Sequence, residues 1–153
     1  MRFIAIDPGK NGGVAFFDKD GLIKVFPFKS ESDAVEDIRS FCMKTWNEGD
    51  SITIVLEHVG GYVAGNPVSG SSMFKFGDSY GFWRGLAAGL ACRLELVRPQ
   101  VWERGIIGIC KLKGAPRKRA LKDAAARLFP SAKPTLATAD AILIGEWGRR
   151  NLK

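Results

Sequence analysis

Residues 1–17, MRFIAIDPGKNGGVAFF, consist of two apolar runs on either side of an acidic turn. The first run ends at Asp7, the turn contains a Pro-Gly pair, and the second run begins after two glycines. Short apolar runs bounded by Gly and Pro are typical of strands. The stretch therefore predicts strands at 2–7 and 13–17, with the Asp7 carboxylate at a strand end. A third strand, 22–27, follows the turn DKDG, so the chain is predicted to open with an antiparallel three-stranded meander.

The rest of the chain alternates helical patterns with two further strands. Ser32 is predicted to cap a helix that ends near Asn47. The run SITIVLE, 51–57, is almost continuous in apolar and β-branched residues, which predicts a central strand parallel to the first. The later elements are a helix at 72–92, a strand LELV at 94–97, a short helical piece at 99–108, a basic helix beginning near Pro116, and a last helix in ADAILIGEW at 139–147. This order predicts an α/β fold, a mixed five-stranded sheet of meander plus parallel strands flanked by helices, in one domain spanning 1–153.

The composition is that of an ordinary globular protein. The 153 residues are 46% hydrophobic and 25% charged, which excludes a disordered or fibrous chain. The longest apolar candidate, 81–96, is interrupted by charges, and the chain begins directly in a strand, so we expect an intracellular protein without membrane association. Cys42, Cys92 and Cys110 lack metal-ligand spacing and are predicted to be reduced thiols.

The net charge of +7 and the pI near 9.5 are unevenly distributed along the chain. Most of the basic excess lies in KLKGAPRKRALKDAAAR, residues 111–127, which contain a single acid. A solvated helix face also carries such charge, but clustering of this kind favours a polyanionic partner and above all nucleic acid.

Three acids are predicted to lie at the edges of buried elements. Asp7 ends the first strand, Glu57 ends the fourth, and Asp140 lies near the start of the last helical pattern. Each acid alone is explained as a solvent-exposed charge at the end of an element. An ionised carboxylate beside a hydrophobic core, however, costs free energy unless something pairs with it. Mg²⁺ prefers oxygen ligands and retains positions for water and phosphate oxygens. Together the three acids therefore predict a metal-dependent phosphoryl-transfer site.

The 72–92 helix has a glycine at every fourth position: Gly77, Gly81, Gly85 and Gly89. This spacing places them almost on one stripe. Glycine in a helix interior costs about 1 kcal/mol, so the stripe predicts that another backbone, either the sheet or a twin helix, approaches closely.

The motifs in this order resemble the RuvC-like Holliday junction resolvases of the ribonuclease H fold, particularly the compact phage members. The resemblance covers nearly the whole chain. It depends on IDPGKNGGVAFF (6–17), VLEHV (55–59), FGDSYGFWRGLAAGL (76–90), RPQVWERGIIG (98–108) and ATADAILIGEWG (137–148).

The resemblance implies a homodimeric, Mg²⁺-dependent endonuclease, with Mn²⁺ able to substitute, that cuts branched DNA such as four-way junctions in the cytoplasm, that of a bacterial host if the chain is phage-encoded. Asp7, Glu57 and Asp140 match the family's catalytic acids, with Asp7 shared by two metal ions. Tyr62 and Phe74 are predicted to stack on unpaired bases, with packing onto their own domain as the alternative. The residues predicted to contact phosphates are Lys10, Lys111, Lys113, Arg117, Lys118 and Arg119.

One position departs from the family pattern. Members of the family usually carry an acid or a histidine three residues before the last aspartate, where this chain has Ala137. Water could take that coordination place, Asp78 or His58 could substitute, or one metal could bind weakly. Glu146 is excluded because six residues at 100° each place it about 120° from the Asp140 face.

Three other functions fit parts of the pattern. A ribonuclease H-fold nuclease that processes RNA would use the same acids. A sugar-kinase or actin-like nucleotide site also begins with an acid and glycines, but needs a second lobe for which 153 residues leave no room. A branched-DNA-binding module without catalysis is favoured by Ala137 and the positive charge.

Overall fold

The central feature of the fold is a mixed sheet with strand order β3-β2-β1-β4-β5. The computed structural model describes residues 1–58, 60, 69–106 and 112–152, with only the backbone for 105 and 106. The strands are β1 (Arg2–Ile6), β2 (Gly13–Asp18), β3 (Gly21–Pro27), β4 (Ile52–Glu57) and β5 (Arg93–Val97). The helices are α1 (Glu31–Asn47), α2 (Gly70–Gly89), α3 (Pro99–Ile106), α4 (Gly114–Leu128) and α5 (Ala139–Asn151), with a 3₁₀ turn at Pro130–Ala132.

The strand pairing matches the predicted architecture. β1 pairs antiparallel with β2, and β2 with β3, which confirms the meander. β4 pairs in parallel with β1, with Leu56 opposite Ile6, and β5 continues the parallel set with Val97 opposite Glu57. The carboxyl ends of β1, β4 and β5 therefore lie at one edge of the sheet, where Asp7 and Glu57 are neighbours.

Helices cover both faces of the sheet and enclose two apolar cores. α3, α4 and α5 pack on one face, where Trp102 and Leu121 are fully buried. α1 and α2 pack on the other, where Ile38 and Trp83 are fully buried. α5 lies closest to the sheet, and nine of its residues are buried. The acid in its first turn is thereby held against the strand ends.

A glycine in α5 allows that close contact. A Cβ added at Gly145 would lie 2.1 Å from the ring of Phe17 in β2, with no solvent into which the ring could move. We expect Gly145→Ala to lower the free energy of unfolding in urea by about 1–3 kcal/mol, the usual cost of overpacking. Gly70→Ala adds the same methyl group in open space and is the control. Equal stability of the two variants would contradict this packing.

One local prediction differs from the structure, and one of two alternatives is removed for another. α1 is capped by Ser30, whose Oγ accepts from Asp33 N at 3.1 Å, so the predicted Ser32 cap is wrong. Of the two partners predicted for the glycine stripe of α2, the sheet is excluded, because a Cβ at Gly77, Gly81, Gly85 or Gly89 meets no atom of the described residues within 4 Å.

The described cysteines, Cys42 and Cys92, are free thiols as predicted, while Cys110 lies outside the described residues. Among the described helices, none is long and apolar enough to cross a membrane.

Candidate active site

Three acidic side chains lie where β1, β4 and α5 come together. Asp7 follows β1 and is 9% exposed, Asp140 lies in the first turn of α5 and is 5% exposed, and Glu57, the last residue of β4, is half-buried. A different helix contacts each acid or the backbone beside it: α2 at Asp7, α3 at Glu57 and α4 at Asp140.

The turn after Asp7 is closed by backbone hydrogen bonds. Asp7 N donates to Gly13 O at 3.1 Å, Gly12 N to Gly9 O at 2.8 Å, and Gly9 N to Asp7 Oδ1 at 3.2 Å. Gly12 is required because a Cβ there would lie 2.1 Å from the carbonyl oxygen of Asp7. From α2, Ser79 Oγ donates to Pro8 O at 2.7 Å. The first acid is thus held by its own turn and by α2.

Asp140 reaches the site because the chain before α5 packs directly on β2. A Cβ at Gly13 would lie 2.8 Å from the carbonyl oxygen of Ala137, so only glycine allows this approach. From α4, Lys118 Nζ lies 3.4 Å from Asp140 Oδ2. Asp140 Oδ1 is buried and has no hydrogen-bond partner within the described part of the chain. The carboxylate therefore has one oxygen paired with a cation and one oxygen available for a ligand.

Glu57 is held by a residue that the sequence analysis did not identify. Trp102 Nε1 in α3 donates to Glu57 Oε1 at 3.1 Å. A buried tryptophan usually needs an acceptor for its N–H, so the apolar pattern around Trp102 was a usable signal, although it did not indicate which acceptor.

The electrostatics show that the three acids share one poorly solvated space. Burial raises the pKa of Asp7 most, and the charge of Asp140 raises it further. The hydrogen bond from Gly9 N lowers it. Burial, the larger effect, and the charge of Asp7 together raise the pKa of Glu57 to about 8. The hydrogen bond from Trp102 lowers this pKa and so opposes them. Lys118 and Arg117 lower the pKa of Asp7, but too weakly to cancel these effects. Ionising all three acids together would therefore place negative charge in the site that Lys118 and Arg117 do not balance.

The donor chemistry fits a hard divalent cation. The site offers carboxylate oxygens, a buried oxygen without a partner, and uncompensated negative charge. Its coordination sphere is not closed: no three Asp, Glu, His or Cys side chains of the described residues are arranged to hold an ion.

The side chains that could substitute for an acid at Ala137 have other surroundings, and the prediction that water takes this coordination place stays open. Ala137 lies in the turn before α5 and not on the helix. His58 packs edge-on against Tyr80, with ring centroids 6.4 Å apart, and Asp78 is exposed on α2. Glu146 is 1% exposed and pairs with Arg149 and Arg150, which agrees with its exclusion.

The predicted DNA-contacting residues fall into two groups. Lys118 and Arg117 border the acids, and Arg117 donates to Glu103. The others that can be described, Lys10, Phe74, Lys113 and Arg119, are exposed, with Phe74 75% exposed. Tyr62 and Lys111 lie outside the described residues.

Comparison with known proteins identifies the fold. No family model matches the chain, and no curated protein matches it in sequence. A Thermus thermophilus RuvC structure matches with a TM-score of 0.60 and 15% identity, covering 98% of this chain and 96% of that one. The T. thermophilus RuvC in complex with a Holliday junction substrate matches with the same TM-score and coverage at 12% identity. The chain therefore has the ribonuclease H-like fold of these structures.

Proposed function

We propose that this protein is a divalent-metal-dependent endodeoxyribonuclease that resolves Holliday junctions and related branched DNA by paired phosphodiester hydrolysis. The observation that carries the proposal is the convergence of Asp7, Glu57 and Asp140, two of them with raised pKa values, in a fold matched over 98% of the chain by RuvC structures. The excess of basic residues supports a polyanionic substrate.

The three acids would hold Mg²⁺, or Mn²⁺ in its place, with Asp7 shared between two ions. Bound ions of this kind activate water and stabilise charge on the leaving oxygen. Asp7 is kept in place by the Gly9 hydrogen bond and Glu57 by Trp102. Lys118 lies beside Asp140 and is positioned to pair with a phosphate that enters the site.

The test is nucleotide-level mapping of cuts in end-labelled four-way junctions, with Mg²⁺ or Mn²⁺ titrated from zero. We expect symmetric nicks in two strands that depend on the cation. Matched flap, duplex and RNA substrates are run beside the junction, and preferential cutting of RNA would favour the RNA-processing alternative.

A non-catalytic function has support of its own. Ala137 provides no ligand, and the described acids do not form a closed coordination group. A branched-DNA-binding module would bind the junction and leave every strand intact at all concentrations of both cations. That outcome would replace the nuclease proposal.

The proposed assembly is a homodimer formed through α2. A Cβ on any glycine of the stripe has no atom of residues 1–58, 60, 69–106 or 112–152 within 4 Å, and at 100° per residue Phe74, 75% exposed, lies on the same side of the helix. Small residues allow two helices to approach closely, and two cuts in one junction need a two-fold arrangement of sites.

Gly81→Leu tests this association. A Cβ at this position has no atom of the described residues within 4 Å, and leucine is a better helix former than glycine, so the monomer should be as stable as the wild type or about 1 kcal/mol more stable. In sedimentation equilibrium we expect a wild-type dimer at micromolar concentration and a monomeric variant. Ser72→Leu, on the opposite side of α2, should remain dimeric. A Gly81→Leu protein that dimerises like the wild type would exclude the stripe as the interface.

A further inference from the structure

We infer that Trp102 is a positioning residue for Glu57. Its indole N–H fixes one carboxylate oxygen and leaves the other free to bind a divalent cation. The inference depends on the proposed function in one respect only, that the acids bind a cation.

The geometry makes Trp102 a rigid support. Its Nε1 donates to Glu57 Oε1 at 3.1 Å across 45 residues of sequence, and its side chain is fully buried. The start of α3 is tied to the end of β5, because the backbone N–H groups of Val101 and Trp102 donate to Arg98 O. β5 pairs directly with β4, and His58 N extends that pairing to Val97 O at 2.7 Å. The donor therefore lies on a helix that directly follows β5, the strand paired with the one that ends in the carboxylate.

Glu57 needs such support because little else holds its side chain. The Trp102 bond is the hydrogen bond that the described residues make to this carboxylate, and burial and the charge of Asp7 act against its ionised form. A glutamate has three rotatable side-chain bonds, so without a fixed oxygen its carboxylate would occupy several positions. Outer hydrogen-bond partners of metal ligands commonly change metal affinity by 10–100-fold when they are removed.

A second tryptophan shows that burial alone does not explain this bond. Trp83 is 1% exposed in the core on the other face of the sheet, and its Nε1 has no partner among the described residues. Within the described part of the chain, burial of an indole therefore does not by itself bring an acceptor to its N–H. At Trp102 the same group donates to a candidate metal ligand, which assigns it a role beyond packing.

Trp102→Phe and Trp83→Phe form a matched pair, because each replaces a buried indole by a smaller ring and only the first removes a bonded N–H. Mn²⁺ affinity of the full chain is measured by calorimetry without DNA, and unfolding is followed by circular dichroism. We expect Trp102→Phe to bind Mn²⁺ about tenfold more weakly and Trp83→Phe to bind it like the wild type. Equal affinities of Trp102→Phe and the wild type would overturn the inference, as would a wild type that binds no Mn²⁺.

Nuclear magnetic resonance of the wild-type protein gives a second readout if Trp102→Phe does not fold. The four indole N–H signals are observed with ¹⁵N-labelled tryptophan, and three are assigned by Phe substitutions at Trp46, Trp83 and Trp147. We expect Mg²⁺ to shift the Trp102 signal and not the Trp83 signal. A Trp102 signal that stays fixed while the cation saturates the site overturns the inference.

These results separate the inference from the proposed function. A loss of Mn²⁺ affinity in Trp102→Phe supports the positioning role even for a chain that nicks no junction. Unchanged affinity excludes that role even for a chain that cuts.

Discussion

Asp7→Asn is expected to lower junction cleavage by about three orders of magnitude and to leave junction binding unchanged. The substitution keeps a side-chain oxygen that can accept from Gly9 N, so the turn should persist. It removes the negative charge of the acid proposed to be shared by both metal ions. Metal ions contribute several kcal/mol of transition-state stabilisation, and each 1.4 kcal/mol is a factor of ten in rate.

The measurement is a single-turnover cleavage rate with labelled four-way junctions at saturating Mg²⁺, beside a gel-shift titration. Asp123→Asn makes the same chemical change at an exposed position of α4 and should cut like the wild type. A variant that cuts within a few-fold of the wild-type rate would exclude Asp7 from the catalytic centre. A variant that neither binds nor cuts would indicate damage to the fold.

Glu57→Gln is expected to stabilise the protein against unfolding at pH 8 in the presence of a chelator. The pKa of Glu57 is raised from 4.5 in the unfolded chain to about 8 in the fold. The folded protein therefore binds this proton more tightly, and the associated stability is present below pH 4.5 and lost as the pH rises towards 8. The free energy of unfolding falls by on the order of 4 kcal/mol as a result. Glu57→Gln avoids this loss because glutamine does not titrate.

Urea denaturation between pH 5 and pH 8 tests this prediction. The wild type should lose stability over this interval more steeply than Glu57→Gln, and Glu36→Gln, at an exposed position of α1, should follow the wild type. Mg²⁺ should restore the wild type at pH 8 and have a smaller effect on Glu57→Gln. Parallel stability curves for all three proteins would contradict an uncompensated charge at Glu57.

The sequence predicted the sheet well because its signals are local. Apolar runs, β-branched residues and glycine turns mark the strands, and the parallel pairing of β4 with β1 follows from its continuous apolar character. The cap of α1 was misplaced because Ser30 and Ser32 are both followed by an acid. β3 stays paired up to Pro27, so only three residues separate it from α1. Ser30 is the last of these three and therefore caps the helix.

The support of the acids could not be predicted in the same way. Asp7, Glu57 and Asp140 each stand at the end of an element, which a pattern reveals. The bond from Trp102 to Glu57 depends on where α3 lies relative to β4, and the contact of Lys118 with Asp140 depends on how α4 packs against α5. The stripe of α2 was predicted to have a close backbone neighbour, but only the structure shows that the described part of its own chain does not cover it.

The hydrogen bond from Ser79 to Pro8 joins the longest helix to the backbone beside Asp7. Ser79 lies between Gly77 and Gly81, so the surface proposed to contact a second subunit and the support of the first acid belong to the same helix, α2. A partner subunit that displaces α2 would move the backbone beside Asp7 through the hydrogen bond from Ser79 to Pro8. The two proposed cuts would then be coordinated through contacts within the protein, and no signal would have to pass through the DNA.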